Sequence, residues 1–490
     1  MRGWQRGLGI LWWIALGFWG LILILDILGR FGQAESQPFV SLSMGITWVL
    51  LLGVTLMWIY ARWRFRMWLA FCALLGLDWS TRATVLTLLG AGTILIGTSY
   101  ILRHRDRGVL LGRRWGFWPT RLSTSDRFLH LHVIGPTGSG KSSSILLPLL
   151  TQDLKAGRAV ALIEPKGDLS LAAYRCAIQS GHTVILFDPE SESCPHYNPL
   201  AGPPSSAAEG ISWALNQIAE AGHPFYAVSS RVLLMYTVMA VKEVQGDSAN
   251  LESVVGFLRR DGERDAILSQ VTDDRVQQYF RDQIRQLNPR QAMEQRQGLL
   301  NRLELLLMNP DIRRVLSPPY DFEWDSVLKN QVSVFCPLGL ARMGDSARVL
   351  GTLLWHGLAM ASYRRPLDGP LPPYFLYLDE FHEYVTPDLG EFLALARGYH
   401  LGLILAHQDF GQLSAPLREA ILANGRQRVV LGGVAPTDFD IFASAASPYP
   451  IDPTLRFFPQ GRAWVQLTQH GKPRRPYSVN LRYEPLGDSK

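Results

Sequence analysis

Cysteine is scarce in this chain. Cys72, Cys176, Cys194 and Cys336 are the four in 490 residues, widely spaced and in unlike contexts. No pair has the spacing of a metal knuckle or a redox motif, which excludes a zinc ribbon or a thioredoxin-type centre and predicts buried thiols in a reducing compartment. The 11 histidines are scattered, and neither a Ser-His-Asp arrangement nor a paired-carboxylate glycosidase layout emerges. An ABC-transporter signature is missing as well. Net charge is modest, +6 at neutral pH, which permits an anionic partner without requiring one.

Apolar sequence is abundant at the N-terminus, and many of the 15 tryptophans lie before residue 120, a bias that suits bilayer interfaces. Residues 10–28 read ILWWIALGFWGLILILDIL, enough to span about 30 Å of hydrocarbon. No small-residue cleavage pattern follows, so the stretch reads as an anchor and not as a signal peptide. A second span at 39–60 ends in Arg62, Arg64 and Arg66, and the run 83–102 is followed by Arg103, Arg105, Arg107, Arg113 and Arg114. Both arginine groups belong on the cytoplasmic side. They agree if 67–80 and 83–102 cross as a tight pair, so residues 1–107 are expected to carry two to four transmembrane helices, with four preferred.

The organising motif is LHVIGPTGSGKSSS at 131–144. Gly135, Pro136, Thr137, Gly138, Ser139, Gly140, Lys141 and Ser142 satisfy G-x-x-x-x-G-K-[ST] without a mismatch, with Ser143 continuing into an apolar helix. The glycines let successive N–H groups face phosphates at a helix N-terminus. Lys141 is placed to reach the β/γ-phosphates and the Ser142 hydroxyl to ligate Mg²⁺. ATP and Mg²⁺ are therefore the expected ligands.

An α/β pattern surrounds the motif. AVALIEP at 159–165 is a predicted strand, with Glu164, Lys166 and Asp168 at its end. These read either as hydrolysis-sensing charges or as a polar turn with Asp168 capping the next helix. Another strand, TVILFDP, follows at 183–189. Between about 205 and 318 helical periodicities succeed one another with no convincing strand, which predicts an all-α insertion. Its arginines (Arg259, Arg260, Arg275, Arg281, Arg285, Arg290) are interleaved with acids and fit a solvated face as well as a nucleic-acid contact. The α/β pattern resumes with QVSVFCPL at 331–338 and YFLYLDEFHEY at 374–384. There Asp379 is placed to hold Mg²⁺ through water and Glu380 to orient or deprotonate an attacking water. LGLILAHQ at 401–408 presents Gln408 at a strand tip, where it can report on a γ-phosphate or simply cap a buried strand. His407 is left without a role. Arg397 ends a helix, where it can reach a neighbour's nucleotide or favour its own helix dipole.

These segments resemble the coupling proteins of conjugative and type IV secretion systems, the TraD/TraG kind, and more broadly the FtsK/HerA class of P-loop ATPases. The likeness covers about 100–470 and rests on GPTGSGKSSS, EPKGDL, HYNPL, YLDEFH, the stretch through Arg397 and Gln408, and ILANGRQRVVL at 421–431. It implies a RecA-like P-loop NTPase domain with an inserted all-α domain, preceded by transmembrane helices. The divisions would be 1–107 membrane, 108–204 first part of the nucleotide-binding domain, 205–320 insertion and 321–490 second part. It implies a homo-hexamer in the bacterial inner membrane, multi-pass, with the ATPase domain cytoplasmic. The partners would be single-stranded DNA, a relaxase or other secreted protein, and components of a secretion channel. Lys141, Ser142, Asp379 and Glu380 would form the hydrolytic centre, Arg397 a finger acting in trans and Gln408 a sensor. Other readings are a coupling ATPase for protein effectors and a nucleotide-regulated membrane scaffold that does not pump. Three departures stand out: Glu164 where the family commonly has aspartate before P-K-G, a membrane region richer than the usual two helices, and no long acidic tail after the motor.

Overall fold

The computed structural model describes residues 108–486 apart from 217–223, 284–288, 367–368, 370, 387 and 470. The membrane helices expected over 1–107 lie outside the described residues. Among the described residues no helix is long and apolar enough to cross a membrane.

Eleven strands form one sheet. In chain order they are β1 (Val109–Arg114), β2 (Trp118–Leu122), β3 (Leu131–Ile134), β4 (Val160–Glu164), β5 (Val184–Leu186), β6 (Ser333–Pro337), β7 (Tyr374–Asp379), β8 (Leu401–His407), β9 (Gln427–Leu431) and β10 (Arg462–Gln466), closed by β13 (Tyr477–Asn480). The two-residue strands β11 (Thr468–Gln469) and β12 (Lys472–Pro473) pair only with each other. The order across the sheet is β2-β1-β13-β10-β9-β3-β8-β7-β4-β6-β5.

From β9 to β5 the seven strands are parallel. β3, β4, β6, β7 and β8 are buried at every position, as strands covered on both faces must be. One face carries the helices Leu147–Lys155 and Asp168–Gln179, and the other carries Asp345–Tyr363 with Trp355 fully buried. The remaining strands, β10, β13, β1 and β2, add an antiparallel extension. Its β1–β2 hairpin was not anticipated from the arginine- and tryptophan-rich sequence at 109–122.

Between the neighbouring strands β5 and β6 the chain leaves the sheet, and among the described residues its regular elements there, from Pro204–Asn216 to Trp324–Lys329, are helices only. Four arginines of this insertion meet its own acids, Arg260–Glu263 at 2.9 Å, Arg275–Asp273 at 2.8 Å, Arg290–Glu294 at 2.8 Å, and Arg259 with Glu304, while Arg281 donates to Gln277 Oε1 at 3.0 Å. The turn HYNPL anchors the insertion, with a bridge from Tyr197 to Phe322 and the Tyr197 hydroxyl donating to the Leu353 carbonyl at 3.3 Å. Cys176, Cys194 and Cys336 are free thiols.

Candidate functional site

Three adjacent parallel strands deliver the site. β3 runs into the glycine-rich loop, β8 lies beside it, and β7 lies beside β8. The registers Ile134↔His407 and Asp379↔Ala406 bring their C-terminal tips level. Ligands of open α/β sheets bind at this edge.

Gly138 and Gly140 take φ of +79° and +90°, values that favour glycine. The loop hands over to a helix whose first turn, Ser142–Leu146, is π-wound before an α-helix continues through Leu147–Lys155. Lys141 is buried, and its Nζ donates to the Gly135 carbonyl at 2.7 Å and pairs with Glu380 Oε1 at 3.3 Å. Ser142 Oγ donates to Asp379 Oδ2 at 3.3 Å. Gln408 bridges the two sides. Its Oε1 accepts from the Thr137 hydroxyl at 2.9 Å, and its Nε2 donates to Glu380 Oε1 at 3.2 Å. One chain of contacts thus joins Thr137, Gln408, Glu380, Lys141 and the loop carbonyl.

The turn after β7 is held open. Glu380 has φ +45°, a left-handed backbone that non-glycine residues adopt at a cost of roughly 1–3 kcal/mol. The Tyr384 hydroxyl helps offset that cost, its one proton shared between the carbonyls of Ile163 and Asp379 at 2.8 and 3.0 Å. Glu380 Oε2 is buried without a hydrogen bond, with His382 Nδ1 3.7 Å away. A buried acceptor oxygen with no protein hydrogen-bond donor suits a group that must take a proton or hold a water.

Carboxylates outnumber cations here. Burial, then the neighbouring Glu380, pushes Asp379 up to about 6, against the opposing pull of Lys141. Glu164, at the end of β4, is raised to about 7 by burial and by Asp379. The structure sorts the EPKGD charges: Glu164 is buried and accepts from the Ser170 N–H, whereas Lys166 and Asp168 are exposed. The expected capping role of Asp168 is therefore corrected. Gly167 holds the N-cap position and Asp168 is the first helical residue, while Glu164 takes up one of the helix's free amides, the Ser170 N–H.

A divalent cation fits this donor set. Ser142 and Asp379 offer one hydroxyl and one carboxylate side by side, and no cluster of three His, Cys, Asp or Glu among the described residues could hold a metal alone. That is the sparse protein ligation of an ion completed by waters and phosphates.

Arg397 is not brought to this site. It is exposed in the single turn Ala396–Tyr399 before β8, at the sheet edge opposite the glycine-rich loop. Two features at the site had no sequence signal. Gln460 lies against Gly140, where an added Cβ would come within 3.2 Å of its Nε2. The Glu484 N–H donates to the Ser143 carbonyl at 2.9 Å. His382 was within reach of sequence reasoning, two residues beyond Glu380.

Residues 95–422 match the family model described as "Type IV secretory system Conjugative DNA transfer". No curated protein matches the sequence. Solved structures do. The plasmid coupling protein TrwB in complex with the non-hydrolysable ATP analogue ADPNP aligns with a TM-score of 0.58 and 16% identity, over 79% of this chain and 91% of that one. TrwB in complex with ADP and Mg²⁺ aligns at 0.57 and 18%, over 76% and 89%. VirB4 of Thermoanaerobacter pseudethanolicus aligns at 0.51 and 15%, over 77% and 96%. At these identities the likeness is one of fold: a RecA-like α/β domain with an inserted helical region.

Proposed function

Because the chain belongs to the type IV secretory system conjugative DNA transfer family, we propose that it is a membrane-anchored ATPase that couples ATP hydrolysis to the transfer of single-stranded DNA, delivered with a relaxase, into a secretion channel. The observation that carries this reading is the meeting of Lys141, Ser142, Asp379, Glu380 and Gln408 at one sheet edge.

The loop amides from Gly135 to Ser143 cradle the phosphates. Lys141 exchanges the Gly135 carbonyl and Glu380 for phosphate oxygens, a short movement of one flexible ammonium. Ser142 and Asp379 would hold Mg²⁺, which supplies charge neutralisation between the β- and γ-phosphates when bound. Freed from Lys141, Glu380 accepts the proton of a water that attacks the γ-phosphorus, and the bond to the bridging oxygen of ADP breaks. Gln408, tied to both Thr137 and Glu380, registers whether the γ-phosphate is present and passes that state along β8. Such a motor acts as a homo-hexamer, with Arg397 supplying charge to a neighbour's nucleotide.

Glu380→Gln separates turnover from binding. It keeps size and one acceptor, so ATP affinity is expected to stay within a few-fold while kcat falls about 10²–10⁴-fold. DNA transfer should fall with it. If transfer continued while turnover was lost, a non-pumping scaffold would be the better reading. Stimulation of the wild-type chain by single-stranded DNA at low salt, fading as salt rises, is expected of a strand-moving motor. Absence of stimulation would favour protein effectors as the cargo.

A further inference from the structure

The β1–β2 hairpin carries a feature that the nucleotide site does not use. Its tip, Arg113-Arg114-Trp115-Gly116-Phe117-Trp118, leaves three large aromatic side chains in solvent: Trp115 is 69% exposed, Phe117 64% and Trp118 63%. Trp115 sits at φ +51° and Gly116 at +79°, so a bulky residue occupies a backbone region it disfavours. The Arg114 guanidinium lies 4.1 Å from the Trp115 ring centroid, and Arg113 reaches the Phe117 carbonyl at 3.5 Å. The tip thus presents rings and arginines to water, with Arg114 also 5.0 Å from the Tyr477 ring centroid.

Resting on the membrane-anchored reading, we propose that this tip is an interfacial contact that seats Trp115, Phe117 and Trp118 at the headgroup level of an anionic bilayer, with Arg113 and Arg114 on the lipid phosphates. Tryptophan with arginine is the composition of a bilayer interface, and polybasic segments beside apolar anchors bind anionic lipid. The chain enters β1 at Gly108 directly after the apolar run 83–102 and Arg103, Arg105 and Arg107. From Gly108 to Trp115 an extended chain covers only about 23 Å. β2 is an edge strand, at the end of the sheet farthest from β5 and the helical insertion. Pro119 and Arg121 on that edge oppose strand addition by a second copy. The tip also lies at the sheet edge opposite the glycine-rich loop, about 24 Å in strand spacings from β3. The tip is therefore clear of the nucleotide site.

The test uses the full chain in liposomes, with an environment-sensitive fluorophore on Phe117→Cys and a control label on Ser269→Cys in the insertion, corrected for labelling of the native thiols. With brominated acyl chains in vesicles containing phosphatidylglycerol, emission at position 117 is expected to fall about twofold, because a ring seated about 5–10 Å into the boundary meets the bromine. The label at 269 should not respond. Arg113→Glu with Arg114→Glu should abolish the dependence on phosphatidylglycerol. An unquenched label at 117 in a chain that resists carbonate extraction overturns the contact and leaves the anchor intact. A label that responds to added single-stranded DNA, or is shielded equally in neutral-lipid vesicles by a second copy, also overturns it. Extraction by carbonate overturns the anchored reading itself, and the contact with it.

Discussion

Glu164 shows how one buried carboxyl can set the pH response of the site. Its ordinary value of 4.5 is raised to about 7 in the fold, by burial and by Asp379. Between those two values the folded chain keeps a proton that the unfolded chain has released. Stability therefore falls as pH rises from about 4.5 to about 7, and the full loss is present above 7. Glu164→Gln keeps an acceptor for the Ser170 N–H and removes the charge. It is expected to raise the apparent melting temperature at pH 8 by several degrees, up to about 3 kcal/mol in stability, and to change little at pH 5, with Mg²⁺ and nucleotide absent. An equal shift at both pH values would sink the argument. The buried histidines work in the opposite sense. Burial holds His130 down to about 4 and His407 to about 3, so their contribution is present above the ordinary 6.5 and is lost as pH falls toward those values. With Glu164 neutralised chemically, the loss below pH 6.5 should be steeper than in the wild-type chain, which acid titration of the melting temperature would reveal. His407 Nδ1 donates to the Asp409 carbonyl at 2.8 Å, which leaves its Nε2 to accept from His132 Nε2, also at 2.8 Å. That neutral pair sits directly behind Gln408, and it gives His407 the hydrogen-bonding place that suits a lone histidine at a strand end.

Between elements, the decisive link runs from the helix Leu147–Lys155 to β7. Asp153 on that helix is fully buried and meets Arg127 at 2.6 Å, Arg158 at 2.7 Å and the Tyr377 hydroxyl at 2.5 Å. The two arginines and the tyrosine hold its carboxyl below the usual range despite burial, and the Arg127 guanidinium lies 3.5 Å from the Phe375 ring centroid. The helix that begins at Lys141 is thus tied to the strand that ends at Asp379, below the reacting groups. Asp153→Ala would leave Arg127 buried without its carboxylate, and a loss of about 3–5 kcal/mol is expected, read as a lower denaturant midpoint. A loss below about 1 kcal/mol would mean that Arg127 finds water or relaxes outward. This network was not legible beforehand, because Arg127, Asp153 and Tyr377 lie in three separate segments and only Tyr377 belongs to a motif, YLDEFH. What was legible were runs whose local pattern states their role: the glycine-rich loop, the buried strands β4, β7 and β8, and the strandless stretch that became the insertion. Neighbourhood was the missing information. The effect of Asp379 on Glu164 follows from the register Ile163↔Leu378 between β4 and β7, and nothing in either segment announces that pairing. The hairpin tip was hidden for a related reason, since its tryptophans and arginines read equally well as the flank of an apolar run.

For the whole molecule the question is where Arg397 acts. It precedes β8, whereas Gln408 follows it, and the seven residues Leu401–His407 separate the two by about 23 Å. A guanidinium on a side chain of ordinary length cannot close that distance to the nucleotide of its own chain. A finger role for Arg397 therefore requires a second copy whose glycine-rich loop faces this sheet edge, the heterologous contact that closes into a ring. Mixing variants decides it. Arg397→Ala chains keep Glu380 but offer no finger, and Glu380→Gln chains keep the finger but cannot take the proton. Each alone is expected to lose at least about 10²-fold in kcat. In randomly mixed rings at equal amounts, a working site needs an Arg397→Ala chain on its catalytic side and a Glu380→Gln chain on its donating side. About one site in four meets both conditions, so the mixture is expected to regain about a quarter of wild-type turnover if subunits fire independently. Recovery to that level, lost again when the subunits are prevented from exchanging, places the arginine in a neighbour's site. No recovery would reduce Arg397 to a charge on the C-terminal dipole of the turn that carries it.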